Sequence, residues 1–185
     1  FFYSMGVQTV MLLAPLFGES EVGMDANRLI AVVLLLQVVA IAGAYVFAFV
    51  AEKFSNKTSI AIALVIWIGV CIGGYLLYEE YQFYILAAML GFVMGGIQSV
   101  SRSTYSKLIP GEAVDTASYF SFYDVTEKLA IVLGTFSYGF VEQFTGSMRN
   151  SMLAMITFFV LGLLLLLSAR MPRETRTEEA PAAAV

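Results

Sequence analysis

The stretch ANRLIAVVLLLQVVAIAGAYVFAFVA, residues 26–51, decides the fold. After Arg28 it holds no charged residue and one side-chain amide, Gln37. A helix needs about 20 apolar residues to cross a bilayer, and this run is long enough. Lipid offers no partner to a backbone amide, so such a segment has to close its own hydrogen bonds as a helix. Working outward, apolar runs recur at 1–17, 58–78, 82–107, 113–144 and 147–169, separated by short polar breaks. Gly18 and Gly23, Ser55-Asn56, Pro110-Gly111 and Gly146 mark four of those breaks. The reading is an all-α membrane protein, a six-transmembrane-helix bundle over residues 1–169. The fifth run is the least apolar, because it carries charges. Residues 170–185, with Pro172, Pro181 and alternating Arg and Glu, are expected to form a disordered cytoplasmic tail. The chain opens on Phe1-Phe2 inside an apolar run, which suggests a piece of a longer protein.

Composition points the same way. Of 185 residues, 59% are hydrophobic and 13% charged, and the mean hydropathy is +0.83. An ordinary soluble domain carries roughly a quarter charged residues, and one of this length could not hide so much apolar surface. A disordered chain, a nucleic-acid binder and an ordinary cytosolic enzyme are thereby excluded. With no histidine, imidazole catalysis and His-ligated metal sites are absent. The single cysteine, Cys71, can make no internal disulfide. No cofactor or metal is expected. Glu19, Glu21 and Asp25 lie in the first link and Glu79 and Glu80 in the third, whereas Lys53 and Lys57 lie in the second and Lys107 in the fourth. With Arg170, Arg173 and Arg176 in the tail, basic and acidic links alternate. The positive-inside rule then puts both termini in the cytoplasm, with only Arg28 and Arg149 on the outer side.

Two glycine pairs, Gly69/Gly73 and Gly91/Gly95, have the spacing that lets helix backbones approach closely. A charge inside a lipid-facing helix costs about 2.5–3.5 kcal/mol, so intramembrane charges usually face a cavity or a partner. In the fifth run Asp124, Glu127 and Lys128 stand out, and Asp124 and Lys128 share one face. In the fourth, Gln98 and Arg102 continue the stripe begun by Gly91 and Gly95. Arg102 lies about ten residues before the turn and Asp124 about twelve after it. At the helical rise both sit on the order of 15 Å from the turn, and an Arg102–Asp124 or Arg102–Glu127 contact is expected. That pair serves either a solute pathway that reorganises its charges or a fixed helix–helix lock. Tyr119, Phe122 and Tyr123 flank it, lining a cavity or packing at an interface. Gln8 and Gln37 either line the pathway or bond a neighbouring helix.

The segment AFVAEKFSNK, residues 48–57, resembles a degenerate loop motif of the major facilitator superfamily. Glu52 stands for its acid, and Lys53 and Lys57 for its first and last bases. Ala48 and Ser55 replace the glycines, and Asn56 replaces a base. More specific are Gly6-Val7-Gln8-Thr9-Val10, GGIQSVSRS at 95–103, Leu108-Ile109-Pro110, and FSFYDV at 120–125 with Lys128. These are similar to the vacuolar-effluxer branch of that superfamily, the autophagy-related protein twenty-two-like family, in the order of its C-terminal half. The family often places an acid just before Gly-Val-Gln, and this chain has Met5 there. The resemblance implies half of a major-facilitator fold and secondary transport of small solutes, with efflux of amino acids in fungal relatives. It also implies a partner half of six helices, a bilayer setting (a bacterial inner membrane) and a cytoplasmic gate at Glu52, Lys53 and Lys57. Gln8, Gln37, Gln98, Arg102, Tyr119, Tyr123, Asp124, Glu127 and Lys128 are the candidates for the substrate pathway.

Two rival readings follow from the same residues. Tyr123-Asp124 resembles half of the paired-aspartate signature of intramembrane proteases, but the second half is missing, as are a phosphate loop and a zinc helix; an enzyme is not expected. The other rival is a half-size channel or structural membrane subunit acting as an oligomer.

Overall fold

The computed structural model describes residues 1–109 and 116–169. The break expected at Pro110-Gly111 and the tail at 170–185 lie outside them. The described residues form six helices and no strand: α1 (Phe2–Val22), α2 (Ala26–Lys53), α3 (Asn56–Tyr75), α4 (Glu80–Leu108), α5 (Thr116–Thr145) and α6 (Met148–Ser168). The chain is thus an all-α bundle of six helices. Four of them, α2, α3, α4 and α6, are long and apolar enough to cross a membrane. The other two are diluted by Gln8, Glu19 and Glu21 in α1 and by Asp124, Glu127, Lys128 and Glu142 in α5.

The links obey local chemistry. Gly23 ends α1 in the left-handed region (φ 73°), so that its N–H and that of Met24 turn back to the carbonyls of Glu19 and Gly18. Gly18, expected to break the same link, instead lies buried inside α1. A β-carbon there would come within 2.8 Å of the Phe83 ring, so its small size serves packing and not turning. Ser55 caps α3 by accepting from the Thr58 N–H at 3.0 Å. Glu79 and Gln82 cap α4 reciprocally, giving that acid of the third link a structural task.

Alternation up and down the bundle is visible in the contacts at its two ends. At one end Asn56 donates to Thr104 (3.0 Å) and accepts from Lys107 (3.4 Å), while Lys57 donates to the carbonyls of Leu167 and Ala169, both at 2.7 Å. At the other, Arg28 pairs with Glu80, and Arg149 pairs with Glu21 at 2.8 Å and lies over the Tyr78 ring. Both arginines that departed from the basic/acidic alternation are therefore neutralised locally.

The main neighbour pairs are α2 with α4, α3 with α6, α3 with α4, α1 with α5, α1 with α6, α5 with α6 and α2 with α3; α1 also touches α2 and α4 more lightly. Exchanging α1–α3 for α4–α6 maps the main pairs onto one another, with α3–α6 its own image, the pattern of an inverted three-helix repeat. Trp67 of α3 stacks on Phe159 of α6 at 5.3 Å in the middle of the core. The tightest approach is α2 on α4. A β-carbon on Gly91 would lie 2.6 Å from the Leu36 carbonyl oxygen, and one on Gly95 or Gly43 would strike the backbone of Ala40 or Phe92. The Gly91/Gly95 pair is thus a helix–helix contact. The Gly69/Gly73 pair is not: Gly69 faces open space and Gly73 meets only the Leu86 side chain.

Gly95→Ala should therefore lower the unfolding free energy of the full-length protein by about 1–3 kcal/mol through overpacking, whereas Gly69→Ala should stay within about 0.5 kcal/mol of the parent. Denaturant titration in micelles measures both.

Candidate functional site

Where α1, α4 and α5 converge, the bundle leaves a cavity of about 320 Å³. α1 supplies Tyr3 and Ser4, α4 supplies Ser101, Thr104 and Tyr105, and α5 supplies Phe122, Tyr123, Thr126 and Glu127; Ile60 of α3 and Leu166 of α6 close the apolar side. A narrower cleft adjoins it through Tyr3, Ser4, Ser101, Tyr123 and Glu127 and reaches Gln8 and Gln98. In a chain with 59% hydrophobic residues this is a dense gathering of polar groups.

Glu127 is its hub. Its Oε2 accepts from Arg102 of α4 at 3.3 Å, and its Oε1 accepts from the Gln8 amide of α1 at 3.5 Å. Arg102 also faces Asp124 Oδ1 at 3.7 Å and lies 5.9 Å from the centre of the Tyr123 ring. One guanidinium is shared by two carboxylates one helical turn apart. The two pairs are unequal, because the Glu127 side chain is only 17% exposed while that of Asp124 is 59% exposed. Nearby, the Tyr3 hydroxyl donates to Ser101 at 3.0 Å, Tyr105 donates to the Tyr119 carbonyl at 2.8 Å, and the Tyr105 and Tyr123 rings lie 4.9 Å apart.

Of the residues singled out in the sequence, Gln8, Gln98, Arg102, Tyr123, Asp124 and Glu127 come together here; a contact of Arg102 with one acid or the other was expected, and Arg102 meets both. Gln98 donates weakly to the Met11 sulfur (3.4 Å). The Gly91–Gly95–Gln98–Arg102 stripe is real but meets three partners, since crossing helices separate along their length: α2 at the glycines, α1 and α5 beyond them. Three other candidates lie apart. Gln37 is exposed on α2 and Lys128 is exposed on α5, with no ion pair among the described residues. Tyr119 is 42% exposed and enters only through its carbonyl. Glu52 is exposed at the end of α2, Lys53 lies over the Phe49 and Phe54 rings, and Lys57 caps the end of α6. Tyr3, Ser101, Thr104, Tyr105 and Thr126 were missed. The available signal was four-residue spacing: Ser4 with Gln8, and Ser101 with Tyr105, repeat on the faces that carry the recognised residues.

Residues 1–179 match the family described as vacuole effluxer Atg22 like. The chain belongs to that family. Its relatives include the uncharacterized MFS-type transporter YxiO of Bacillus subtilis, 32% identical over 178 residues, which cover 96% of this chain and 40% of YxiO. Autophagy-related protein 22 of Eremothecium gossypii is 30% identical, over 86% of this chain and 33% of its own length. The same protein of Saccharomyces cerevisiae is 30% identical, over 91% of this chain and 32% of its own. The chain spans between about a third and two fifths of these relatives. No solved structure matches it. For an Atg22-like chain of the major facilitator superfamily, six helices correspond to half of the fold.

In the full-length protein a double-mutant cycle should give a coupling of about 1 kcal/mol between Arg102 and Glu127, and less than about 0.5 kcal/mol between Arg102 and Asp124, because burial shields the first pair and solvent screens the second. The alanine variants and their pairwise combinations, unfolded in parallel, provide the measurement.

Proposed function

We propose that this chain is the C-terminal half of a secondary transporter that moves small solutes across a bilayer by alternating access, with a six-helix N-terminal half as its partner. The observation that carries the reading is the convergence of Tyr3, Ser101, Tyr123 and Glu127 from three helices on one cavity, with Gln8 in the adjoining cleft and Arg102 bonded to Glu127 beside it. A charge pair that only locked two helices would need neither the cavity nor the third helix. In facilitators of this kind two halves rock about a central site near the midplane. The Arg102–Glu127 and Arg102–Asp124 pairs supply contacts that can be exchanged during such a movement. Glu52 and Lys53, exposed at the end of α2, stand where a gate against the other half would form, and Lys57 anchors that end to α6.

The basic end of the bundle, with Lys53, Lys57 and Lys107, is taken as cytoplasmic, which places both termini of the chain there. The membrane is taken to be a bacterial inner membrane, as the likeness to the Bacillus protein supports. Amino acids, which the family resemblance implies, are the first solutes to test.

In liposomes carrying the full-length protein, a transported solute should show counterflow, and Arg102→Gln or Glu127→Gln should slow it about tenfold, the equivalent of one charge-assisted contact. Flux that never saturates and shows no counterflow would instead mark a channel. Cysteines placed at Lys53 and at Glu79 should react with an impermeant thiol reagent from opposite faces of the membrane. Labelling from the same face would defeat the topology.

A further inference from the structure

The cavity between α1, α4 and α5 has one charged wall, and it is acidic. Among the side chains that line it, Glu127 alone is ionisable to a full charge at neutral pH, and neither Arg102 nor Asp124 reaches its surface. Tyr3, Tyr105, Phe122 and Tyr123 line the same cavity as that carboxylate. Aromatic faces attract cations, most strongly where water is excluded. The two oxygens of Glu127 are also differently engaged. Oε2 faces Arg102 at 3.3 Å, Oε1 accepts from Gln8 at 3.5 Å, the limit of hydrogen-bond distance, and the Tyr123 hydroxyl also bonds the carboxyl group. Gln8 is a neutral donor at long range, and an ammonium in its place would make a stronger, charge-assisted bond to Oε1.

Charge balance points the same way. Two carboxylates share one guanidinium, so Arg102, Asp124 and Glu127 together carry one unbalanced negative charge. Lys128, adjacent in sequence, projects to the exposed face of α5 and makes no ion pair among the described residues. Among the described residues no lysine or arginine side chain lines the cavity, so the carboxylate of an anion or a zwitterion would face Glu127 with no cation beside it on this wall.

On the transport reading above, on which this rests, we infer that the cavity takes an organic monocation, a protonated primary amine on an apolar body the size of an aromatic ring. Its ammonium donates to Glu127 Oε1 among the tyrosine rings. Arg102 keeps Asp124 as its counter-ion, and the four charges sum to zero. Binding thus weakens the hold of Glu127 on Arg102 and transfers the guanidinium toward Asp124, which links occupancy of the site to the contact between α4 and α5. The cavity wall favours an amine without a carboxylate over the amino acids that the resemblance implies.

Three probes of one shape and different charge test this: phenethylamine, phenylalanine and 3-phenylpropionate, measured by calorimetry on the full-length protein in nanodiscs. Phenethylamine should bind at least about tenfold more tightly than either of the others. Glu127→Gln should lose about tenfold or more of that affinity, and Glu127→Asp should recover part of it. Elution as a single species checks that the variants fold; should Glu127→Gln fail to do so, the order of the three probes on the parent protein decides alone. Phenylalanine or phenylpropionate binding as tightly as the amine, no binding of any probe, or amine affinity untouched in a folded Glu127→Gln variant would overturn the proposal. Counterflow of some solute without a preference for amines sinks the amine site and spares the transport reading. Amine binding without flux of any tested solute does the reverse.

Discussion

One guanidinium held between two carboxylates is the interaction on which the polar side of this bundle depends. An unpaired charge at membrane depth costs about 2.5–3.5 kcal/mol even on the gentlest scales. Arg102, Asp124 and Glu127 answer that cost together, and they do so between α4 and α5, helices that are not closely packed neighbours among the described residues. Gln8 brings in α1 through the same carboxylate. Gln8, Gln98, Arg102, Asp124 and Glu127 of these three helices are gathered on one side, and the side of α4 that meets α2 is free to be apolar and tight.

That contrast runs along a single helix. One stretch of α4 presents Gly91 and Gly95 to the backbone of α2, so closely that a methyl group would not fit. A contact of that kind has one distance and no rotamers. Farther along, α4 reaches α5 through Arg102 and Tyr105, long side chains that span a gap. Such a contact has several staggered arrangements of similar energy. The same helix is therefore fixed on one neighbour and adjustable on the other, and the cavity lies on the adjustable side. In the inverted repeat, α1 and α2 are the counterparts of α4 and α5. The first pair touches through the helices themselves, and the second is bridged by rings and charges.

The sequence made the spans legible because a bilayer imposes one length scale, and their ends differ from the helix ends by only a few residues. It also made the charge cluster legible, since helical spacing and depth suffice to bring Arg102 level with Asp124 and Glu127. What it did not reveal has a common cause. Periodicity reports which face a residue occupies, but not which neighbour occupies that face. Gly69/Gly73 has the same spacing as Gly91/Gly95, yet in the first pair Gly69 opens on empty space and Gly73 meets one Leu86 side chain, while the second pair lies against the α2 backbone. Gly18 read as a turn because glycine is conformationally free, and it proved to be a seat for Phe83. Gln37 and Lys128 are polar residues in apolar runs like Gln8 and Glu127, but they lie on exposed faces of α2 and α5. Tyr3 and Tyr105 escaped notice because an aromatic residue in a membrane helix is ordinarily read as an interface anchor.

The placement of the acids on α5 has an energetic consequence. Among its described residues α5 buries only Ala130, Gly134 and Tyr138, while α1, α3, α4 and α6 interlock through Trp67, Phe159, Phe17 and Phe83. At the end of the bundle near the cavity, Asn56 and Lys57 fasten α4 and α6 to α3. α5 has no such clasp from α3 among the described residues; its polar contacts there are with Tyr105, the shared guanidinium and Gln8 of α1. A helix with little buried surface has little packing energy to oppose a change in its contacts. The position of that end of α5 is thus governed more by the charges on Arg102, Asp124 and Glu127 than by its core, and a cation entering the cavity acts on the helix least able to ignore it.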